Sequence, residues 1–221
     1  MKRIPEPELM EDPEQALAYG MADFEEPHSN FIKLLLSNCP IPGDIGAVLD
    51  LGCGTGDITF RVARAFPKAV IDAVDGSEAM LYYAGEGLGK KPEFEERIHF
   101  IRCKLENFEP GKSYDLIASN SLLHHIPEPA RFWQDIKRLS RRGTFVFIMD
   151  LLRPGSTSEA RRLVETYSPD EPDILKRDFY NSLLASFEIE EVKTQLHEAG
   201  LGSFTAERVS DRHLIVYGMR R

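Results

Sequence analysis

The sequence predicts an α/β fold in which a mostly parallel sheet carries helices on both faces. Three observations predict it. Short apolar runs recur at 47–51, 69–74, 98–103, 114–119 and 144–150. Stretches of helical spacing lie between most of them, at 57–66, 77–86 and 128–140, which is the alternation of βαβ units. Two further strand-like runs, 203–210 and 212–219, meet at Asp211 with no room for a helix, so they form an antiparallel pair closing one sheet edge.

The chain reads as one domain of 221 residues in four stretches. Residues 1–45 form a helical segment ahead of the first strand. Asp12-Pro13 offers an N-cap followed by proline at the first helical position, and helical spacing runs over 13–38 with a break near Glu26-Pro27. Residues 46–150 hold the five βα units. Arg153-Pro154-Gly155 then interrupts the chain, polar helical stretches fill 151–199, and Gly200-Leu201-Gly202 ends the last of them before the hairpin of 200–221.

Composition narrows the function. Apolar residues at 42% and charged residues at 29% suit a packed core rather than disorder. Lys plus Arg number 27 against 36 Asp plus Glu, a net of −9, with no basic stripe for phosphates. The first 30 residues hold 8 acidic and 2 basic side chains, so −6 of that charge lies in the N-terminal segment. No apolar run approaches the roughly 20 residues that cross a bilayer. The acidic, proline-rich opening lacks the apolar stretch of a signal peptide. Cys39, Cys53 and Cys103 match neither a disulfide framework nor a metal-ligand spacing. Reduced thiols and a cytoplasmic location are expected.

The most informative segment is VLDLGCGTG at 48–56, a strand running into glycines and then into a helix at Asp57. Missing β-carbons let a ligand approach the turn, and the helix start offers free N–H groups. A dinucleotide fingerprint needs Gly-x-Gly-x-x-Gly, whereas here Asp57 follows Gly56 and the third glycine arrives one residue early. That Asp would also set negative charge where a pyrophosphate sits. No Gly-Lys-Ser/Thr follows, so the Walker pattern fails as well. The loop suits a nucleoside without phosphates. Asp75, at the end of the second strand, can accept hydrogen bonds from two ribose hydroxyls or cap the helix that follows. Cys53 is a candidate nucleophile by type, and a small residue tolerated in a tight turn by position.

With VDGSEAM at 74–80 and YDLIASNSLLHHIPEP at 114–129, this loop resembles the class I methyltransferases that use S-adenosylmethionine (SAM). The resemblance covers about residues 46–150. It implies a Rossmann-like three-layer sandwich whose seven-stranded sheet has an antiparallel terminal strand. It also implies SAM across the carboxyl ends of the strands and S-adenosylhomocysteine as product. The loop with Asp50, Gly52, Cys53, Gly54 and Gly56 would face the methionine part. Asp75 would take the ribose, Gly76 and Met80 would border the adenine, and Asn120 would lie near the sulfonium. Tyr19, in an N-terminal segment that folds over the cofactor in related enzymes, would touch its carboxylate end; the alternative is a solvated amphipathic helix that only covers one sheet edge. One departure stands out. Lys104 occupies the place where related sequences usually carry an Asp that receives the adenine amino group, and a lysine cannot accept a hydrogen bond. Backbone groups at Lys104 and Leu105, with packing against Met80, are expected to hold the base.

Methyl transfer from a sulfonium is an in-line displacement that needs a held acceptor, excluded water and sometimes a base. His124 and His125, just after Asn120, are candidates for lining the cofactor or for the base. No metal is expected, because neighbouring histidines seldom chelate one ion without a third ligand. Arg153 and Arg212 could each hold an acceptor carboxylate or phosphate, or serve in structural ion pairs. Tyr167, Phe179, Tyr180 and Phe187 are core aromatics of which one or two wall an acceptor pocket. The expected function is transfer of a methyl group from SAM to a small-molecule acceptor by a monomer or homodimer, with no nucleic acid or membrane partner. Alternatives are a protein or RNA acceptor, a different group transfer, or a SAM-binding scaffold without turnover. The Asn-Pro-Pro-Tyr run of amino-group methylation is replaced by Asn120-Ser121-Leu122-Leu123.

Overall fold

The apolar runs become strands in the computed structural model of the protein, which describes residues 1–6 and 10–221. In chain order the elements are α1 (Pro13–Met21), α2 (Glu25–Asn38), β1 (Ala47–Leu51), α3 (Asp57–Ala65), β2 (Val70–Asp75), α4 (Glu78–Gly89), β3 (Ile98–Arg102) and β4 (Leu116–Asn120). Then come α5 (Pro129–Leu139), β5 (Phe145–Leu151), α6 (Thr157–Tyr167), α7 (Asp173–Ala185), α8 (Ile189–Glu198), β6 (Thr205–Arg208) and β7 (His213–Met219). Short 3-10 turns lie among them.

The seven strands form one sheet in the order β3-β2-β1-β4-β5-β7-β6. β1 pairs in parallel with both β2 and β4, and β5 continues the parallel run from β4. The closing hairpin does not simply add its two strands in sequence. β7 inserts between β5 and β6 and runs antiparallel to both. The expected strand 203–210 shortens to Thr205–Arg208 at the outer edge, where most of its residues stay exposed.

Two apolar layers cover the sheet. On one face Phe132, Trp133, Ile136 and Leu139 of α5 pack with Val192 and Leu196 of α8 against Leu49, Ile117, Val146 and Val216. On the other, Phe31 and Leu35 of α2 and Val62 of α3 pack against Val48, Ile71 and Phe147. The Phe31 ring meets Phe147 edge-on at 5.2 Å. Trp133 is fully buried and its indole N–H donates to Gln195 at 2.9 Å, so truncating it to alanine should cost about 3–5 kcal/mol. Among the described residues no helix is long and apolar enough to cross a membrane.

The break in the N-terminal helical pattern falls at 22–24, not at Glu26-Pro27. Pro27 sits in the first turn of α2, where a backbone N–H has no intrahelical partner to lose, so it opens that helix instead of ending the previous one. Asp12 caps α1 as expected, accepting from the Glu14 amide at 2.9 Å. α6 and α7 share a small core of their own with Leu151, built from Ala160, Leu163, Leu183 and Leu184. These two helices stand over the carboxyl end of the sheet.

Candidate active site

Strand order reverses between β1 and β4, which opens a crevice at their carboxyl ends, where open α/β sheets bind ligands. A cavity of about 400 Å³ occupies it. Its floor is the loop leaving β1. The amides of Gly52 and Cys53 donate to the Val74 carbonyl, and the Gly56 amide closes the turn onto the Cys53 carbonyl at 2.9 Å. Gly54 and Gly56 both take left-handed backbone angles, for different reasons. A β-carbon on Gly54 would meet nothing within 4 Å, so that position faces the cavity. A β-carbon on Gly56 would lie 2.8 Å from the Phe100 ring, and Gly56 does not line the cavity. Its glycine answers to packing behind the loop.

Asp75 clamps this floor. One carboxylate oxygen accepts from the Gly54 amide and the other from the Ser77 amide, both at 2.8 Å. The cap of α4 belongs to Ser77, whose hydroxyl accepts from Met80 and donates to the Met10 carbonyl. Burial pushes the Asp75 carboxyl above its usual range, against those amide hydrogen bonds. Asp50, almost fully buried, accepts from the Thr59 hydroxyl at 2.6 Å, and burial raises it to about 6. The Cys53 thiol is also driven well up by burial and by the nearby carboxylates, which opposes a nucleophilic role.

Tyr19, Asp50, Gly52, Cys53, Gly54, Asp75, Gly76, Met80, Lys104, Leu105 and Asn120 all line this one cavity. Lys104 sits exposed at its rim, with Cys103, Leu105 and Met80 as the neighbouring lining. Ser121, next to Asn120, is a non-glycine residue at φ 56°, a backbone conformation that costs energy and that no sequence signal announced.

His124 and His125 line the far side, carried on a short turn after β4. The His124 ring is buried, with Nδ1 2.6 Å from an Asp150 carboxylate oxygen and Nε2 3.4 Å from Glu6. Burial alone would lower its pKa, but Asp150 and Glu6 outweigh that and raise it. Arg3 ties the N-terminus here, donating to the carbonyls of His124 at 2.8 Å and Ile126 at 3.0 Å.

The two arginines part company. Arg153 does not line the cavity; its guanidinium donates to Glu188 at 2.9 Å, Glu191 at 2.8 Å and the Ser186 carbonyl, fastening the start of α8. Arg212 does line it, stacked on the Tyr167 ring with Nη2 3.0 Å from Glu26. Of the four aromatics, Tyr167 and Phe179 wall the cavity, beside Leu175 and Ser182 on the same face of α7. His213 lies alongside, pushed down to about 4 by burial and by Arg212, so it is neutral at pH 7.

The N-terminal helices cover one side. Arg61 on α3 binds Asp57 at 2.7 Å and Glu25 on α2 at 2.7 Å, while His28 reaches Asp57 at 2.7 Å. Burial would raise Asp57, but the hydrogen bonds from His28 and Arg61 hold it down at about 2. Carboxylates of Asp23, Glu26, Asp50, Asp57, Asp75 and Glu171 line the cavity with Lys104 and Arg212; Glu26 is paired with Arg212 and Asp57 with Arg61 and His28, and the acidic groups that remain suit a cationic ligand.

Residues 44–198 match a family model described as a methyltransferase domain. Malonyl-[acyl-carrier protein] O-methyltransferase 1 of Ilyobacter polytropus is 37% identical over 92 residues, 42% of this chain and 33% of its own length. Trans-aconitate 2-methyltransferase of Streptomyces avermitilis is 35% identical over 101 residues, 44% of this chain and 36% of its own. The chain thus spans about a third of the length of these curated relatives. A solved SAM dependent methyltransferase from Aquifex aeolicus shares the fold with a TM-score of 0.69 at 19% identity, over 94% of this chain and 98% of that one.

Proposed function

The chain belongs to the methyltransferase-domain family, with the class I fold that uses SAM, and from that premise we propose that it methylates a small acceptor carrying a carboxylate. The observation that carries this reading is the continuity of the cavity from the Gly54–Asp75 clamp to the guanidinium of Arg212. SAM supplies an electrophilic methyl group on a sulfonium. The protein's own residues do the rest. Asp75 and the Gly54 turn hold the ribose and methionine portions, Met80 and Leu105 pack the base, and Asn120 with Ser121 borders the reacting end. The surrounding carboxylates favour the cation before transfer over the neutral product after it. Arg212 and Tyr167 orient the acceptor through its carboxylate, and Phe179 with Leu175 excludes water.

Support for a small carboxylate acceptor comes from the relative named trans-aconitate 2-methyltransferase, while the relative named malonyl-[acyl-carrier protein] O-methyltransferase takes an acyl group carried on a protein. The N-terminal helices, tied down by Arg3 and by Arg61, act as the cover that completes the pocket. The three free cysteines accord with a reducing cytoplasm. Arg153 has no part in transfer. The test is tritiated-methyl transfer from SAM to a size-fractionated extract. We expect label in small acids, released by mild alkali as from methyl esters. Label confined to RNA or protein overturns the small-acceptor reading.

A further inference from the structure

Neighbouring histidines need a third ligand to make a metal site, and the fold supplies one from the N-terminus. Glu6 reaches into the turn after β4, placing one carboxylate oxygen 3.4 Å from His124 Nε2 and 3.5 Å from His125 Nδ1. One ligand atom from each of the three residues falls within 4.8 Å of the others. A direct N–H···O hydrogen bond would draw the atoms to about 2.9 Å. Donor atoms sharing a tetrahedral ion at bonds of about 2.0–2.1 Å stand about 3.3 Å apart, which is close to the two separations found.

The outer contacts point the same way. Metal-binding imidazoles usually give their second nitrogen to a carboxylate, and His124 Nδ1 lies 2.6 Å from Asp150. That bond directs Nε2 toward Glu6. The Glu6 oxygen in turn accepts from the Ser182 hydroxyl at 2.8 Å, so it is oriented as well. Among the described residues the charges around the cluster are Glu6, Asp150 and, further out, Asp178, against Arg3. Arg3 spends its donors on carbonyls and lays its plane on the Phe187 ring. Two imidazoles and one carboxylate leave coordination positions open, and both histidines line the cavity.

We propose that Glu6, His124 and His125 form a binding site for a divalent transition-metal ion, with an open position on the acceptor side of the cavity. The chemistry of the set, nitrogen and oxygen with no thiolate, suits zinc, cobalt or iron(II) above magnesium or calcium. An acceptor oxygen could occupy the open position, which would make the ion a second anchor besides Arg212. The site goes beyond the methyl-transfer reading and stands or falls separately from it.

The experiment uses the full chain, stripped with a chelator and titrated with zinc by calorimetry and with cobalt by visible absorption. We expect one saturable equivalent and cobalt bands of a nitrogen–oxygen site. Glu6→Gln and His125→Ala, both only partly buried, should each weaken binding by about tenfold or more with the thermal melt of the metal-free chain little changed. His99→Ala, at the distant pair with Asp72, should bind as the parent does. Absence of saturable binding, or binding that survives both substitutions, overturns the proposal and leaves the cluster as an ion-pair latch for the N-terminus.

Discussion

The guanidinium carbon of Arg212 lies 3.3 Å from the centre of the Tyr167 ring, while the Tyr167 hydroxyl donates to Asp211 at about 3 Å. The turn before β7 and the end of α6 are thereby locked together at the wall of the cavity. The plane of the guanidinium is pinned, with Nη2 3.0 Å from Glu26 and Nη1 3.6 Å from Asp211, so an acceptor carboxylate would bind there by competing with Glu26.

Lysine keeps the charge but neither stacks nor forks. Arg212→Lys should lower kcat/KM for the acceptor by about 10- to 100-fold, the equivalent of about 1.5–3 kcal/mol for a hydrogen bond to a charged group. The KM for SAM should change less than about twofold, since the substitution lies away from the Gly54–Asp75 clamp. Steady-state kinetics with each substrate varied in turn separates the two.

Gly54 and Gly56 should fail differently when changed to alanine. Both substitutions strain a left-handed turn by about 1 kcal/mol or more. Gly56→Ala also drives a methyl group against Phe100, so it should depress Tm further. Gly54→Ala meets no protein atom and instead fills ligand space, so its larger effect should be on SAM affinity measured by calorimetry.

Asp50 makes stability depend on pH. An unfolded aspartate ionises near 3.8, whereas burial holds the folded one near 6. Well below pH 4 both states are protonated and the group contributes its full share. Between about pH 4 and 6 the unfolded chain has released a proton that the folded chain still holds, so stability falls across that window, and the loss reaches about 3 kcal/mol once pH passes 6. Asp50→Asn should therefore raise the melting temperature at pH 8, with the gain vanishing near pH 4, while weakening SAM binding. Melts that differ equally at both pH values would rule this out.

Removing residues 1–30 takes away Tyr19, Glu25 and Glu26 yet leaves Phe31 and Leu35 in the core. We expect a folded sheet by circular dichroism with SAM affinity reduced about tenfold or more. Unchanged affinity would show that the segment only covers a sheet edge.

The strands and the glycine turn were legible in the sequence because their signals are local, although Gly56 answers to packing against Phe100 and not to the cavity. Apolar runs, helical spacing and the glycines at 52, 54 and 56 depend on residues a few positions apart, and so does the partnership of Asp75 with Ser77. The other half of the cavity was not legible in that way. Arg153 and Arg212 both flank strands, yet Glu188 and Glu191 hold one outside the cavity while Tyr167 and Glu26 hold the other at its wall. Nothing local joins Glu6 or Arg3 to His124, which lies 121 residues beyond Arg3.

The βα succession, the terminal hairpin and a turn open to a phosphate-free nucleoside are thus written locally in the chain, since period, turn chemistry and missing β-carbons act over one or two turns. The entry of β7 into the sheet beside β5, the closing of the N-terminus over the cavity and the choice of polar groups that meet there emerge only on folding. Those contacts arise when distant segments are brought together by burial of the apolar layers on both faces of the sheet. The hydrophobic force that brings them together is non-directional, so it leaves no short-range pattern naming the polar partners it happens to join.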